Sequence, residues 1–319
     1  MQALRIGFNR SLPLRHLRNR WRFPGLAMDP TVNHVIRGNL TYGKSVNIGE
    51  GCNLIVQQGS SLRLGDHCYL GRYVELGPLG LIDIGNQTSL QDRCILVGDV
   101  RIGRYCLLSL NVLMTSGTHY FDRWPNRLIR DQDQLISSDP EQSAKDSRPI
   151  EVSEDCWLGV NSVVMPGVTI GRGCVVGSNS VVTRDLSPYS VVAGSPARLI
   201  KVRLVFEPPR RLHWKTIEDL PYFYSGFEVS KKELEQNQFF GGLVARNRCA
   251  LWFKLAGSSE IILRARSATY DEVIIKCADV VVSLGPEWSV CRFPIDVTHG
   301  PIWIEISGEA LVLSEASVV

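Results

Sequence analysis

The chain has 319 residues, 44% of them hydrophobic and 21% charged, with a net charge of +3, which is enough apolar content for one large core or two smaller ones. No apolar run approaches the ~20 residues needed to span a bilayer, and the opening residues, interrupted by arginines, do not read as a secretory signal. A cytoplasmic protein is the expectation, and no wide basic surface or motif points to nucleic acid.

Residues 1–35 form a basic arm. Of the 35 basic residues in the chain, six arginines stand ahead of Asp29, the first acid, so the other 29 face 32 acids. The arginines alternate with Leu4, Ile6, Phe8, Leu12, Leu14, Leu17, Trp21 and Phe23. That pattern suits peripheral contact with an anionic membrane, at its inner face for a cytoplasmic protein. It equally suits apolar residues packed on this or a neighbouring subunit, which Pro13 favours by limiting any helix to short pieces.

From Ile36 the sequence keeps a period of six. Aliphatic residues fall at Ile84, Leu90, Leu96, Ile102, Leu108 and Met114, and again at Val152, Leu158, Val164, Ile170, Val176 and Val182. Weaker runs cover Ile36, Tyr42, Ile48 and Leu54, then Leu64, Leu70 and Leu76. Six matches neither the 3.6 of a helix nor the 2 of a strand. It predicts a solenoid of short strands and turns in which each strand gives one residue to an axial core, and a single repeat has no stability alone. Four residues after each ruler position comes a second inward residue, usually small: Cys156, Ser162, Val168, Cys174, Ser180 and Leu186 in the last run. Cys52, Cys68, Cys94 and Cys106 share that position, so these cysteines read as core filler rather than metal ligands or nucleophiles. Glycine often follows the ruler residue, as at Gly85 and Gly159, and is expected to serve tight corners.

The segments "VRIGRYCLLSLNVLMTSGTH", "RPIEVSEDCWLGVNSVVMPGVTIGRGCVVGSNSVVTRDL" and "SPYSVVAGSPARLIKVR" resemble the hexapeptide-repeat acyltransferases over roughly residues 36–201. The resemblance implies a left-handed parallel β-helix, a homotrimer with its site between adjacent subunits, and acetyl-CoA as the acetyl donor, with no metal. In that family a loop leaves the coil directly after a catalytic histidine. Here the ruler stops at Met114, His119 follows, and residues 120–148 form an excursion carrying Trp124, arginines, Asp122, Asp131, Asp133, Asp139, Glu141 and Asp146. That polarity predicts a solvent-facing lid. An imidazole, largely neutral near pH 7, accepts the proton of an attacking hydroxyl, and the oxyanion formed needs an N–H donor. The resemblance assigns these roles to His119 and to the backbone amide of Val160.

On the same footing Trp157, Ser178, Thr183, Arg184, Arg198 and Lys201 match positions around the donor, the cations meeting its phosphates. The acceptor surface falls near Ser89, Gln91 and Asp92, with Asp122 and Trp124 from the excursion. It departs from the asparagine-rich pattern of the compact sugar enzymes, and the longer excursion points to an acceptor larger than a free disaccharide.

Beyond Lys201, residues 202–249 read as a linker with short helices, and residues 250–319 alternate in short strands divided by turns, predicting a small β-sandwich. Trp252, Trp288 and Trp303 suit either its core or a sugar platform. The expected function is O-acetylation of a sugar hydroxyl in a surface polysaccharide or its precursor. N-acetylation of a nucleotide-linked amino sugar and non-catalytic glycan binding are the alternatives. A zinc hydratase on the same coil would need three histidines, and the coils offer only His67 and His119.

Overall fold

A computed structural model describes residues 17, 19, 21–137, 148–255, 257, 259–295, 297 and 300–319. The arm's Leu4, Ile6, Phe8, Leu12, Pro13 and Leu14 and the excursion's Asp139, Glu141 and Asp146 lie outside the described residues. The chain divides into two units, Met1–Val205 and Phe206–Val319.

The first unit is a parallel β-helix with three faces. The first face stacks Ala27–Met28, Asn47–Ile48, Tyr69–Leu70, Ser89–Leu90, Leu107–Leu108, Trp157–Leu158, Val175–Val176 and Ser190–Ala193. Arg198–Val202 ends that stack by pairing antiparallel to Ser190–Ala193. The second face carries Asn33–Ile36, Asn53–Val56, Leu113–Thr115, Val163–Val164 and Val181–Val182, and the third carries Asn39–Tyr42, Ser61–Leu64, Ile150–Val152 and Thr169–Ile170. Two longer strands, Glu75–Ile84 and Ile95–Ile102, bend round the corner between those faces.

The ruler residues from Leu90 to Met114 and from Val152 to Val182 all point inward and are at most 3% exposed, each contributing about 1.5–3 kcal/mol once the next coil covers it. Successive coils take 22, then 20, then 18 residues along the pairs Ile48–Leu70, Leu70–Leu90 and Leu90–Leu108. Only the 18-residue coils are three sixes, which is why the early ruler is faint. For the same reason the coil begins inside the segment read as an arm: Ala27–Met28 and Asn33–Ile36 already pair with later coils, and Phe23, Leu26, Met28 and Val32 are in the core. Leu17 and Trp21 are exposed.

The glycines serve a different purpose from the one expected. A Cβ on Gly85 would stand 2.6 Å from the Gly103 carbonyl carbon, so glycine there lets two coils touch backbone to backbone. The left-handed corners fall two residues later, on residues with side chains such as His67, Gln87 and Tyr105 and on glycines such as Gly51 and Gly173. Next to this contact lie the small inward residues. Cys52, Cys94, Cys156 and Cys174 each donate a thiol hydrogen bond to a carbonyl one coil on, to Gly71, Ser109, Gly171 and Ser187 at 3.0–3.2 Å. All nine cysteines are free and buried.

The second unit is one antiparallel sheet. Its strands run Val280–Leu284, Val273–Cys277, Ile302–Ser307, Leu243–Leu251, Leu311–Val318, Glu260–Ser267 and Ser289–Pro294. The strands at the two ends of that order also touch, so the sheet curls round a core that includes Phe223, Phe227, Leu263, Phe293 and Ile304, with a smaller cluster of Val244, Ala310 and Val312 beside it. The segment read as a linker belongs to it: Arg211–His213 pairs with Leu311–Val318, and Ser225–Phe227 pairs with Leu243–Leu251. These strands are three residues long, too short to show alternation. Helix Lys231–Phe240 lies between Ser225–Phe227 and Leu243–Leu251 in the chain, with the Ser230 N–H donating to Glu233 Oε2 at 2.8 Å and Gly241 left-handed at its end. No described helix is long and apolar enough to cross a membrane.

Gly85→Val is expected to destabilise the coil by about 1–3 kcal/mol, while Gly117→Ala, whose Cβ would meet nothing within 4 Å, stays within about 0.5 kcal/mol; denaturant midpoints compare the two. Burial pushes the Cys68 and Cys94 thiols up to about 11 and Cys174 to about 12. A disulfide reagent at pH 8 is therefore expected to leave the six coil thiols untouched until the protein unfolds, and fast labelling of the native chain would contradict the packing.

Candidate active site

The excursion leaves the coil after Thr115 on the second face and returns at Ile150 on the third. It contains a helix, α1 (Ile129–Ser137), absent from the sequence reading. Gln132 and Ile136, one turn apart, are at most 2% exposed and dock α1. The Gln132 amide also ties down the approach to the helix: Oε1 accepts from Trp124 N at 3.1 Å, and Nε2 donates to Arg127 O at 3.2 Å.

Docking α1 brings Asp133 to His119. Oδ2 lies 2.6 Å from His119 Nδ1, and Oδ1 accepts the Tyr120 N–H at 2.9 Å. The Tyr120 N–H, and after it His119, hold the Asp133 carboxyl below the usual carboxylate range. A carboxylate on Nδ1 selects the tautomer with its proton there, which turns the Nε2 lone pair outward. The imidazole is 83% exposed, at a cavity of about 650 Å³ lined also by Tyr120, Asp122, Arg123, Arg148 and Met165. A base facing a cavity with two guanidinium groups can take a proton from a polar substrate held beside it.

The other expected site residues fall on two further parts of the coil. Thr183 and Arg184 are exposed and follow the second-face strand Val181–Val182. The cavity residue Met165 donates its N–H to Val182 O at 3.0 Å, so this pair lies one coil beyond the His119 cavity, at the same corner. Val160, Ser178, Gln91 and Asp92 stack at the other end of the second face, beside a ladder in which Asn111, Asn161 and Asn179 link side chains at 2.9 Å. The amides flanking Val160 are committed, Gly159 N to Val176 O and Asn161 N to Leu110 O, both at distances of 2.8–3.0 Å. Asp92 accepts from the Arg72 N–H and guanidinium, and these hold its carboxyl below the usual range. Its carboxylate is thus occupied in joining two coils.

Ser89, Leu107, Trp157, Val175, Val191 and Lys201 form one register column on the first face. Trp157 is 51% exposed and donates from Nε1 to Ser109 Oγ at 3.1 Å. Arg198 is exposed opposite Ala193. Trp124 is partly exposed, with the Arg127 guanidinium 6.0 Å from its ring centre, and Asp122 is exposed. Within one chain, the second face therefore separates His119 from Val160. Met165 lies five steps along the chain from Val160, on the order of 15 Å of extended backbone. Among the described residues no group of three His, Cys, Asp or Glu is arranged to hold a metal.

The candidate site residue that sequence reasoning missed is Asp133, counted there as one of several acids of a polar lid. The four-residue spacing of Gln132 and Ile136 was the available signal for the helix that presents it.

Residues 149–184 match the family model described as bacterial transferase hexapeptide (six repeats). A chloramphenicol acetyltransferase of Klebsiella aerogenes is 48% identical over 56 residues, 18% of this chain and 27% of the relative. A protein of Mycobacterium tuberculosis named as an acetyltransferase is 32% identical over 165 residues, 51% of this chain and 44% of that one. WbbJ of Escherichia coli K12, named for lipopolysaccharide biosynthesis O-acetyl transfer, is 26% identical over 166 residues, 51% of this chain and 72% of WbbJ. The chain thus spans between about a quarter and under half of the first two relatives. The matched residues 149–184 carry Val160, Ser178, Thr183 and Arg184, so it is this part of the coil that is similar to the bacterial transferase hexapeptide repeats.

Proposed function

We propose that the coiled unit transfers an acetyl group from acetyl-CoA to a hydroxyl of a sugar in a surface polysaccharide or its precursor. The observation that carries this reading is the Asp133–His119 pair at the mouth of the excursion cavity. Nε2 of His119 takes the hydroxyl proton as the oxygen attacks the thioester carbonyl. The tetrahedral oxyanion meets the Val160 N–H, and the departing CoA thiolate takes the proton back from the imidazolium. Asp133 fixes the ring and its tautomer without touching substrate. The cysteines take no part, because their thiols are buried.

His119 and Val160 stand at opposite ends of one face, so the reading requires copies side by side, as a homotrimer provides. Trp157, Ser178, Thr183, Arg184, Arg198 and Lys201 then hold the donor along the seam, the cations at its phosphates. Asp122, Trp124, Ser89 and Gln91 remain for the acceptor, and Arg123 and Arg148 join them in the cavity wall. The name of WbbJ, which prints O-acetyl transfer, supports a hydroxyl as the group acetylated.

The test is CoA release from acetyl-CoA in the presence of a panel of glycans, followed by a check that the product is a base-labile ester. His119→Ala is expected to lower kcat by about 10²–10⁴-fold, and equal activity in parent and variant would remove the base from the mechanism. Asp133→Asn should lower kcat by roughly tenfold or more with the KM for acetyl-CoA retained, and Asp133→Glu should recover part of the loss. Arg184→Ala should do the reverse, raising the KM for acetyl-CoA about tenfold with kcat little changed.

A further inference from the structure

The second unit has a cavity of its own, about 620 Å³, lined by Trp214 and Trp288, well inside the range of small-ligand pockets. Trp214 packs against the core of the sheet. Trp288 lies over the end of the helix Lys231–Phe240, where a Cβ on Gly241 would come 3.6 Å from its Cζ2. Both indoles carry cations: Lys215 Nζ lies 5.5 Å from the Trp214 ring centre, and the guanidinium groups of Arg264 and Arg266 each lie 5.2 Å from that of Trp288.

The charge of the lining decides what it can take. His213, Lys215 and Arg264 face the cavity, and among the described residues no aspartate or glutamate lines it. Two acids bond to lining residues from outside the cavity. Asp219 accepts the His213 N–H at 2.8 Å, and Glu315 binds Arg211 at 2.8 Å and Arg264 at 3.6 Å. The Arg211 hydrogen bond, first among its causes, holds the Glu315 carboxyl below the usual range. Arg264 keeps half of its side chain exposed, and Lys215 is exposed. An occupant must therefore offer a flat apolar face to an indole, an anion to Lys215 and Arg264, and hydroxyls to the exposed amide of Gln238, which also lines the cavity.

We infer that this cavity binds a carboxylate-bearing sugar unit of a glycan. The pyranose C–H face lies on an indole and the carboxylate meets Lys215 and Arg264. The preference for a sugar over another flat anion rests on the acceptor proposed above; the preference for negative charge does not. The Trp252, Trp288 and Trp303 grouping read from the sequence does not form this site. Trp252 packs with Phe206 and Tyr224, and Trp303 lies 3.9 Å beneath the Arg248 guanidinium. Trp288 is partnered instead by Trp214, from the segment taken for a linker.

Calorimetric titration of the full chain with oligogalacturonate tests the inference, using the methyl-esterified oligosaccharide and inorganic phosphate as further probes. Binding with a Kd of the order of 0.1 mM is expected, weakened tenfold or more by Lys215→Glu and by methyl esterification. The ester comparison needs no variant to fold. His119→Ala should bind as the parent does, so that failed acetyl transfer and failed binding are told apart. No heat with oligogalacturonate, equal affinity for the ester, or competition by phosphate at equal concentration would each overturn the proposal.

Discussion

The coiled unit depends on how near one backbone can come to the next. Eighteen-residue coils stack at strand spacing only if nothing projects between them at the contact, and at Gly85 a single added carbon would overlap the coil beneath. Small inward residues follow from the same constraint. A triangular core is narrow, and beside many of the aliphatics a small residue fills it; the thiols of Cys94 and Cys156 and the hydroxyl of Thr88 also reach a carbonyl of the next coil. Backbone contact thus selects glycine, and core width selects cysteine and serine.

A stack so tightly specified leaves little freedom for chemistry on the coil itself. The candidate base stands off it. His119 and Asp133 both belong to the excursion, and their contact depends on the docking of α1 through Gln132 and Ile136. The coil supplies what a regular array does well, exposed side chains at fixed intervals. The excursion supplies the one irregular pairing that the proposed reaction needs.

The period of six was legible because burial alternates with it, and the break at Met114 was legible because the period stops there. The first coils were less so, since 20- and 22-residue coils hide the ruler and left Ala27–Met28 inside an apparent arm. The reason for the glycines was misread, because the sequence shows where glycine recurs and not what lies across from it. Asp133 escaped notice for a related reason: its partner is set by how a short helix docks, which no local pattern announces. The second unit shows the same limit. Its three-residue strands Arg211–His213 and Ser225–Phe227 have too few positions to display alternation, and Trp214 was set apart from the sheet that holds Trp288.

The pairing around the excursion holds one more consequence. Leu113–Thr115 and Ile150–Val152 both pair with the single strand Ile95–Ile102, so the stack closes across the insertion as though it were absent. Closing a longer loop between fixed ends costs only about 0.6 kcal/mol for each doubling of its length. Descendants of such a chain can lengthen, shorten or exchange this graft while the scaffold keeps its register, so a family built this way would diversify its acceptors through one hotspot of sequence drift.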